Sequence, residues 1–188
     1  MDPNFRADVV FLVDSSFSVS RPNFQLEKHF VKSMGDALNV EAGKSRGAVV
    51  SYATIPRRHF GFGEYTTKLQ FERLVDSTPY AGTYRRMDKA VEEAARILKQ
   101  ARGDVAKVVV LLTAGRDVPG GQVLEEAVKP LQRDGAKVFI VAIGDQPDIP
   151  ALIRAVEKPE DVIKVPVFKQ LPHRAPDASK HVVRRTSK

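Results

Sequence analysis

The chain of 188 residues has no cysteine and no tryptophan. Without cysteine there is no disulfide, no thiol nucleophile and no cysteine-ligated zinc or iron–sulfur site. Long apolar runs are also missing. None exceeds six residues, as in Val138–Ile143, whereas a membrane-spanning helix takes about 20, so membrane insertion is not expected. The opening Met1–Asp8 (MDPNFRAD) lacks the apolar stretch of a signal peptide. The chain therefore reads as cytosolic, or as a mature or excised piece of a secreted protein. Aromatic residues make up only 7%, and no stacking motif of the RNA-binding kind occurs, which disfavours a nucleic-acid partner.

What is present is ordinary for a globular chain: 43% hydrophobic and 28% charged residues, in a length that supports one sizeable core. The net charge of +7 is unevenly placed. From Lys169 onward six Lys/Arg face the single acid Asp177, giving +5 and leaving +2 on residues 1–168. This basic segment, 169–188, fits contact with an anionic polymer or a final solvated helix.

Strand and helix patterns alternate. Val9–Val13 (VVFLV), Val108–Leu112 (VVVLL) and Val138–Ile143 (VFIVAI) are continuous apolar runs, as strands buried on both faces require. Gly47–Ala53 reads as another strand, His59–Phe62 as a short edge strand and Val162–Val167 as a last one. Between them, helical spacing marks the segment from Pro22 to about Asn39, then Lys68–Ser77 with Leu69 and Leu74 inward, and Tyr84–Ala101. Further helical segments are Gly121–Arg133, which Pro130 should kink, Ile149–Val156 and Pro176–Arg184. One alternating β/α domain, residues 5–186, is expected, with helices on both faces of a six-stranded, mainly parallel sheet. Ligands of such sheets bind beyond the carboxyl ends of the strands, where strand order reverses.

The loop there reads Asp14-Ser15-Ser16-Phe17-Ser18. It has no glycines to wrap a pyrophosphate. Gly43-Lys44-Ser45 imitates the end of a phosphate loop, but Leu38 stands where that loop needs glycine. A carboxylate among hydroxyls offers only oxygen ligands, which suit hard cations such as Mg²⁺. The same residues serve equally as helix caps. No histidine is placed to activate a serine, so no nucleophilic enzyme is legible.

The D-x-S-x-S pattern after a VVFLV strand resembles the von Willebrand factor A domain, whose metal-ion-dependent adhesion site begins this way. The resemblance continues in Gly82-Thr83-Tyr84, in Lys107–Gly115 (KVVVLLTAG), in Val138–Gly144 and in Val165–Leu171, in register over about residues 7–171. It implies a Rossmann-like sheet with one short antiparallel edge strand. It also implies Ser16, Ser18 and Thr83 as hydroxyl ligands of a divalent cation (Mg²⁺, Mn²⁺ or Ca²⁺), with Asp14 holding the site directly or through water. The family's T-D-G is here Thr113-Ala114-Gly115, so one usual carboxylate is missing. Arg85, Arg86 and Arg116 add positive charge nearby. The site is therefore expected to be degenerate, with the cation weak or absent. Tyr84, Arg85, Arg116 and Asp117 are candidate ligand contacts, Asp117 also a candidate for the missing charge.

The ending VPVFKQL resembles matrix A domains of the collagen VI and matrilin type, which implies a secreted, non-enzymatic adhesion module. The partners implied are collagen, other matrix proteins or a cell-surface receptor. Arg57–Arg58, Arg85–Arg86 and Arg184–Arg185 leave glycosaminoglycan binding open, and A domains in cytosolic complexes leave an intracellular scaffold as the alternative. Arg102-Gly103-Asp104 spells an integrin-type motif, which also fits a glycine ending a helix beside surface charges.

Overall fold

The computed structural model describes residues 2–187. Lys188, counted above in the basic segment, lies outside them. The strands are β1 (Ala7–Asp14), β2 (Arg46–Tyr52), β3 (Pro56–Phe60), β4 (Ala106–Thr113), β5 (Lys137–Ile143) and β6 (Val162–Val165). The helices are α1 (Arg21–Ala37), α2 (Lys68–Asp76), α3 (Met87–Leu98), α4 (Leu124–Ala127), α5 (Lys129–Arg133), α6 (Ile149–Arg154) and α7 (Ala175–Thr186). The strands form one sheet in the order β3-β2-β1-β4-β5-β6. Every pairing is parallel except that of the edge strand β3 with β2. The chain leaves β1 for β2 on one side and later returns to β4 on the other, so the order reverses beside β1.

All eight residues of β1 are buried, because both faces of the sheet are covered. Alternation sends Val9, Phe11 and Val13 into one core layer with α1, α2 and α7. Val10 and Leu12 enter the other, with α3 to α6. The buried residues of α2 are Phe71 and Val75, with Leu74 half-buried against the same core as expected, while Leu69 is exposed. Two glycines explain this: a Cβ on Gly35 of α1 or Gly47 of β2 would lie 2.4 or 2.9 Å from the Phe71 ring. The hole they leave takes a phenyl ring and fixes the face that α2 buries.

Several spans differ from the sequence reading, among them the last strand, which ends at Val165 rather than Val167. Gly121–Arg133 is two short helices, α4 and α5, with Pro130 in the first turn of α5, where it needs no amide partner. The edge strand starts earlier, at Pro56. Helix α3 begins at Met87 rather than Tyr84. The helix expected over Pro176–Arg184 is present as α7, which packs on α1 and buries Ala178, Ser179, His181 and Val182. Its anchor is Asp161, which accepts from Arg185 Nε at 2.9 Å and lies 2.8 Å from His181 Nε2. Burial alone would raise the Asp161 carboxyl, but Arg185 and His181 together hold it below the usual carboxylate range.

Candidate functional site

Three loops meet beyond the carboxyl ends of β1, β2 and β4. The first carries Asp14 to Ser18. It pairs with the segment before α3: Phe17 N–H donates to Thr83 O at 2.7 Å and Gly82 N–H to Ser15 O at 2.8 Å. Gly82 has φ +69°, and a Cβ there would meet the Tyr80 ring at 3.0 Å, so this turn takes glycine. The second loop joins through a reciprocal clasp. Thr54 N–H donates to Thr83 Oγ1 at 3.1 Å, and Tyr84 N–H donates to Thr54 Oγ1 at 3.1 Å. The hydroxyl of Thr83 is thus engaged at Thr54, a residue the sequence did not single out.

Asp14 is fully buried and its carboxylate is saturated. Oδ1 accepts from Ser16 N–H at 3.0 Å and from Ser16 Oγ at 2.7 Å. Oδ2 accepts from Ala114 N–H at 3.0 Å and from Arg85 Nε at 2.7 Å. A carboxylate has about four lone-pair sites, and all are taken. Ser18 Oγ accepts from Arg85 Nη2 at 2.8 Å, and Arg116 O accepts from Arg85 Nη1 at 3.1 Å. The guanidinium therefore joins β1's loop, β4's loop and the entry to α3. Burial works against its charge, but Asp14 outweighs burial and pushes the Arg85 pKa up.

Glu27 is the second carboxyl here and was also missed. It lies on α1, fully buried, and its Oε1 accepts from Asp14 N–H at 2.9 Å. Its Oε2 has no partner. Burial, and next to it the charge of Asp14, push this carboxyl well above the usual carboxylate range. A signal was there to read: Phe24, Glu27, Val31 and Met34 fall on one helical stripe, with an acid among apolar residues.

These residues do not fit a divalent cation as they are arranged. Asp14 is already paired with the Arg85 guanidinium, and Ser16, Ser18 and Thr83 each have a hydrogen-bond partner within the protein. Among the described residues no three His, Cys, Asp or Glu side chains cluster at metal-binding distance.

The remaining candidates divide. Tyr84 is exposed, and its ring meets that of Phe17 edge-on at 5.8 Å. Together with Ile55, Tyr80 and Arg57 they line a groove of about 930 Å³. Arg116 is also exposed, 3.2 Å from Asp148, on a second groove of about 370 Å³ that includes Val123. Asp117 turns inward. Both of its oxygens lie 2.9 Å from Met87 N–H, which caps α3 from outside, and burial pushes its pKa up to about 6.

Arg102, Gly103 and Asp104 sit at the opposite end of the sheet. There the Arg102 guanidinium donates to the buried Asp8 at 2.7 Å and to Lys44 O at 2.8 Å, while Asp104 lies 3.4 Å from Arg6. The arginine pairs are likewise committed. Arg85 is buried on Asp14, Arg86 binds Asp88, Arg58 binds Glu93, Arg184 binds His181, and Arg185 binds Asp161. Within the three pairs, only Arg57 has no described ion-pair or hydrogen-bond partner through its side chain.

A doubly wound sheet with a D-x-S-x-S loop at its switch point defines the class: a Rossmann-like domain that carries the loops of an adhesion site. The model of the von Willebrand factor type A domain matches residues 8–175, and the chain belongs to that family. It is 33% identical to mouse matrilin-3 over 159 residues, covering 81% of this chain and 32% of matrilin-3. It is 29% identical to the mouse collagen alpha-4(VI) chain, covering 81% of this chain and 7% of that one. Among solved structures it is similar to proximal thread matrix protein 1 from the mussel byssus with a zinc-occupied MIDAS (metal-ion-dependent adhesion site) motif. That likeness has TM-score 0.86 and 27% identity, over 95% of this chain and 46% of the byssus protein. The chain thus spans less than half the length of each of these proteins, and the matrilin and the collagen VI chain among them are of the matrix kind expected from the sequence.

Proposed function

We propose that residues 5–186 form a non-catalytic adhesion module of a secreted extracellular matrix protein. The module binds collagen or another matrix protein through the face beyond the carboxyl ends of β1, β2 and β4, and its metal site is degenerate. The observation that carries this reading is the groove beside Thr83. Phe17, Ile55 and Tyr84 are 61%, 65% and 59% exposed there, three large apolar side chains on one rim. Contiguous exposed apolar surface with a polar edge marks a protein contact, and aromatic side chains are the usual anchors of such contacts. The matrix relatives support the choice of partner. The same relatives support the non-enzymatic part.

The test is solid-phase binding to immobilised fibrillar collagens, in Mg²⁺ and again in EDTA. Saturable binding of equal strength in both buffers, lost in Tyr84→Ala, is expected. Binding abolished by EDTA overturns the degenerate metal site. Absence of binding in either buffer overturns the collagen partner, and elution from heparin or recovery from a cytosolic complex then favours the rival readings.

A further inference from the structure

We propose that Arg85 is the resident cation of this site. Its guanidinium takes up two of the oxygen groups, Asp14 and Ser18, that the family's site offers to a divalent metal, and the site accepts a metal only when that side chain is removed. The inference rests on the reading of this face as the family's adhesion site. It concerns what holds the face together rather than what binds to it.

Geometry supplies the first argument. A metal in such a site would tie the β1 loop to its neighbours through oxygen ligands. Arg85 ties that loop, through Asp14 and Ser18, to the carbonyl of Arg116, while Ser16 and Thr83 bond to Asp14 and Thr54. The guanidinium is planar, always charged and forked, which suits it to hold several acceptors at once.

Space supplies the second. Gly115 has no Cβ, and one built there would lie 2.5 Å from Arg85 Nη1. Its neighbour Ala114 stands where the family has a carboxylate, so β4's loop brings a backbone N–H to Asp14 instead of a second negative charge. Asp14 is already matched by the positive charge of Arg85. A divalent ion in addition would leave charge uncompensated in a buried place.

Local backbone supplies the third. The apolar spacing runs on to Tyr84, yet α3 starts at Met87. The residues before it pair with the β1 loop, and Arg85 then turns into the site. The start of α3 is capped by Asp117 from β4's loop, so the non-helical stretch that carries Arg85 is fixed at both ends.

One consequence concerns recognition. A metal with an open coordination position captures a partner's carboxylate. Arg85 is only 6% exposed and its donors face inward, so an acidic residue of the partner has no cation to bind at this point.

The experiment reads metal, not matrix partner, so its failure and the failure of the adhesion reading are separable. The wild-type chain is titrated with Mn²⁺ while backbone amide signals are followed by NMR. The expected result is no selective paramagnetic broadening of Ser16 or Ala114 at 1 mM Mn²⁺. In parallel, Arg85→Ser/Ala114→Asp is titrated by calorimetry and is expected to bind Mn²⁺ at least tenfold more tightly than wild type, with a melting temperature that rises on adding the metal. Selective broadening in the wild type overturns the proposal. So does a folded double variant that gives no heat and no shift at 10 mM Mn²⁺. Should that variant fail to fold, the wild-type spectrum decides.

Discussion

Arg85 Nε lies 2.7 Å from Asp14 Oδ2, with the two side chains only 7% and 0% exposed. An ion pair this far from water contributes little by itself, because desolvation offsets the attraction. Breaking it is another matter, since the stranded charge stays buried. Arg85→Met is expected to lose about 3–5 kcal/mol of unfolding free energy, read by urea denaturation. Asp14→Ala/Arg85→Met is expected to lose less than the sum of the two single changes, because neither charge is stranded. Additive losses would show that the pair is not coupled.

The exposed ring pair gives the opposite pattern. Phe17 and Tyr84 touch each other edge-on and are otherwise mostly in water. Changing either to alanine is expected to alter stability by only about 0.5 kcal/mol while weakening matrix binding roughly tenfold or more. Thermal melts and the plate assay together separate the two effects.

Asp117 makes stability depend on pH. Its folded pKa is raised to about 6, so the folded chain binds this proton more tightly than the unfolded chain does. The contribution of the group is greatest below its unfolded value, near pH 4, and is lost as pH rises through about 6. Asp117→Asn has no charge to desolvate and still offers an oxygen to Met87 N–H. The difference between wild type and variant is therefore expected to grow from pH 4 to pH 6.5. At pH 7.5 the variant is expected to be the more stable, on the order of 2 kcal/mol for a shift of about two units. Equal pH profiles would show that the carboxylate is well solvated.

Asp161 works the other way. Its folded pKa is lowered, so its stabilising effect is present above the ordinary carboxylate value and lost as pH falls through the folded one. Asp161→Ala removes the acceptor shared by His181 and Arg185. A loss of about 2–3 kcal/mol is expected. Hydrogen exchange is expected to rise first in α7 and only later in β1 and β4, because α7 is the element this anchor holds.

The sheet was legible because its central strands are written as unbroken apolar runs. Val9–Val13, Val108–Leu112 and Val138–Ile143 leave no other buried element of that length. Which face α2 buries was not legible. It depends on two glycines, 35 and 47, that lie far from Phe71 in sequence and meet it only in the packed core. In the site, the Asp14-Ser15-Ser16-Phe17-Ser18 loop was visible as a motif, and the missing carboxylate at Ala114 was visible as a departure from the family's pattern. The role of Arg85 was not. The sequence placed Arg85 near the site as positive charge and as a candidate ligand contact, and only the convergence of three loops shows that it turns inward onto Asp14. Glu27 was legible as a buried acid in an apolar stripe, but its pairing with Asp14 was not.

The most direct measurement is an anomalous difference map from crystals of the wild-type chain soaked in Mn²⁺. The expected map has no manganese peak among Asp14, Ser16 and Ser18, with the Arg85 guanidinium ordered between Asp14 and Ser18. A manganese peak at that place, with Arg85 turned out into solvent, would contradict the assignment of Arg85 as the cation of the site.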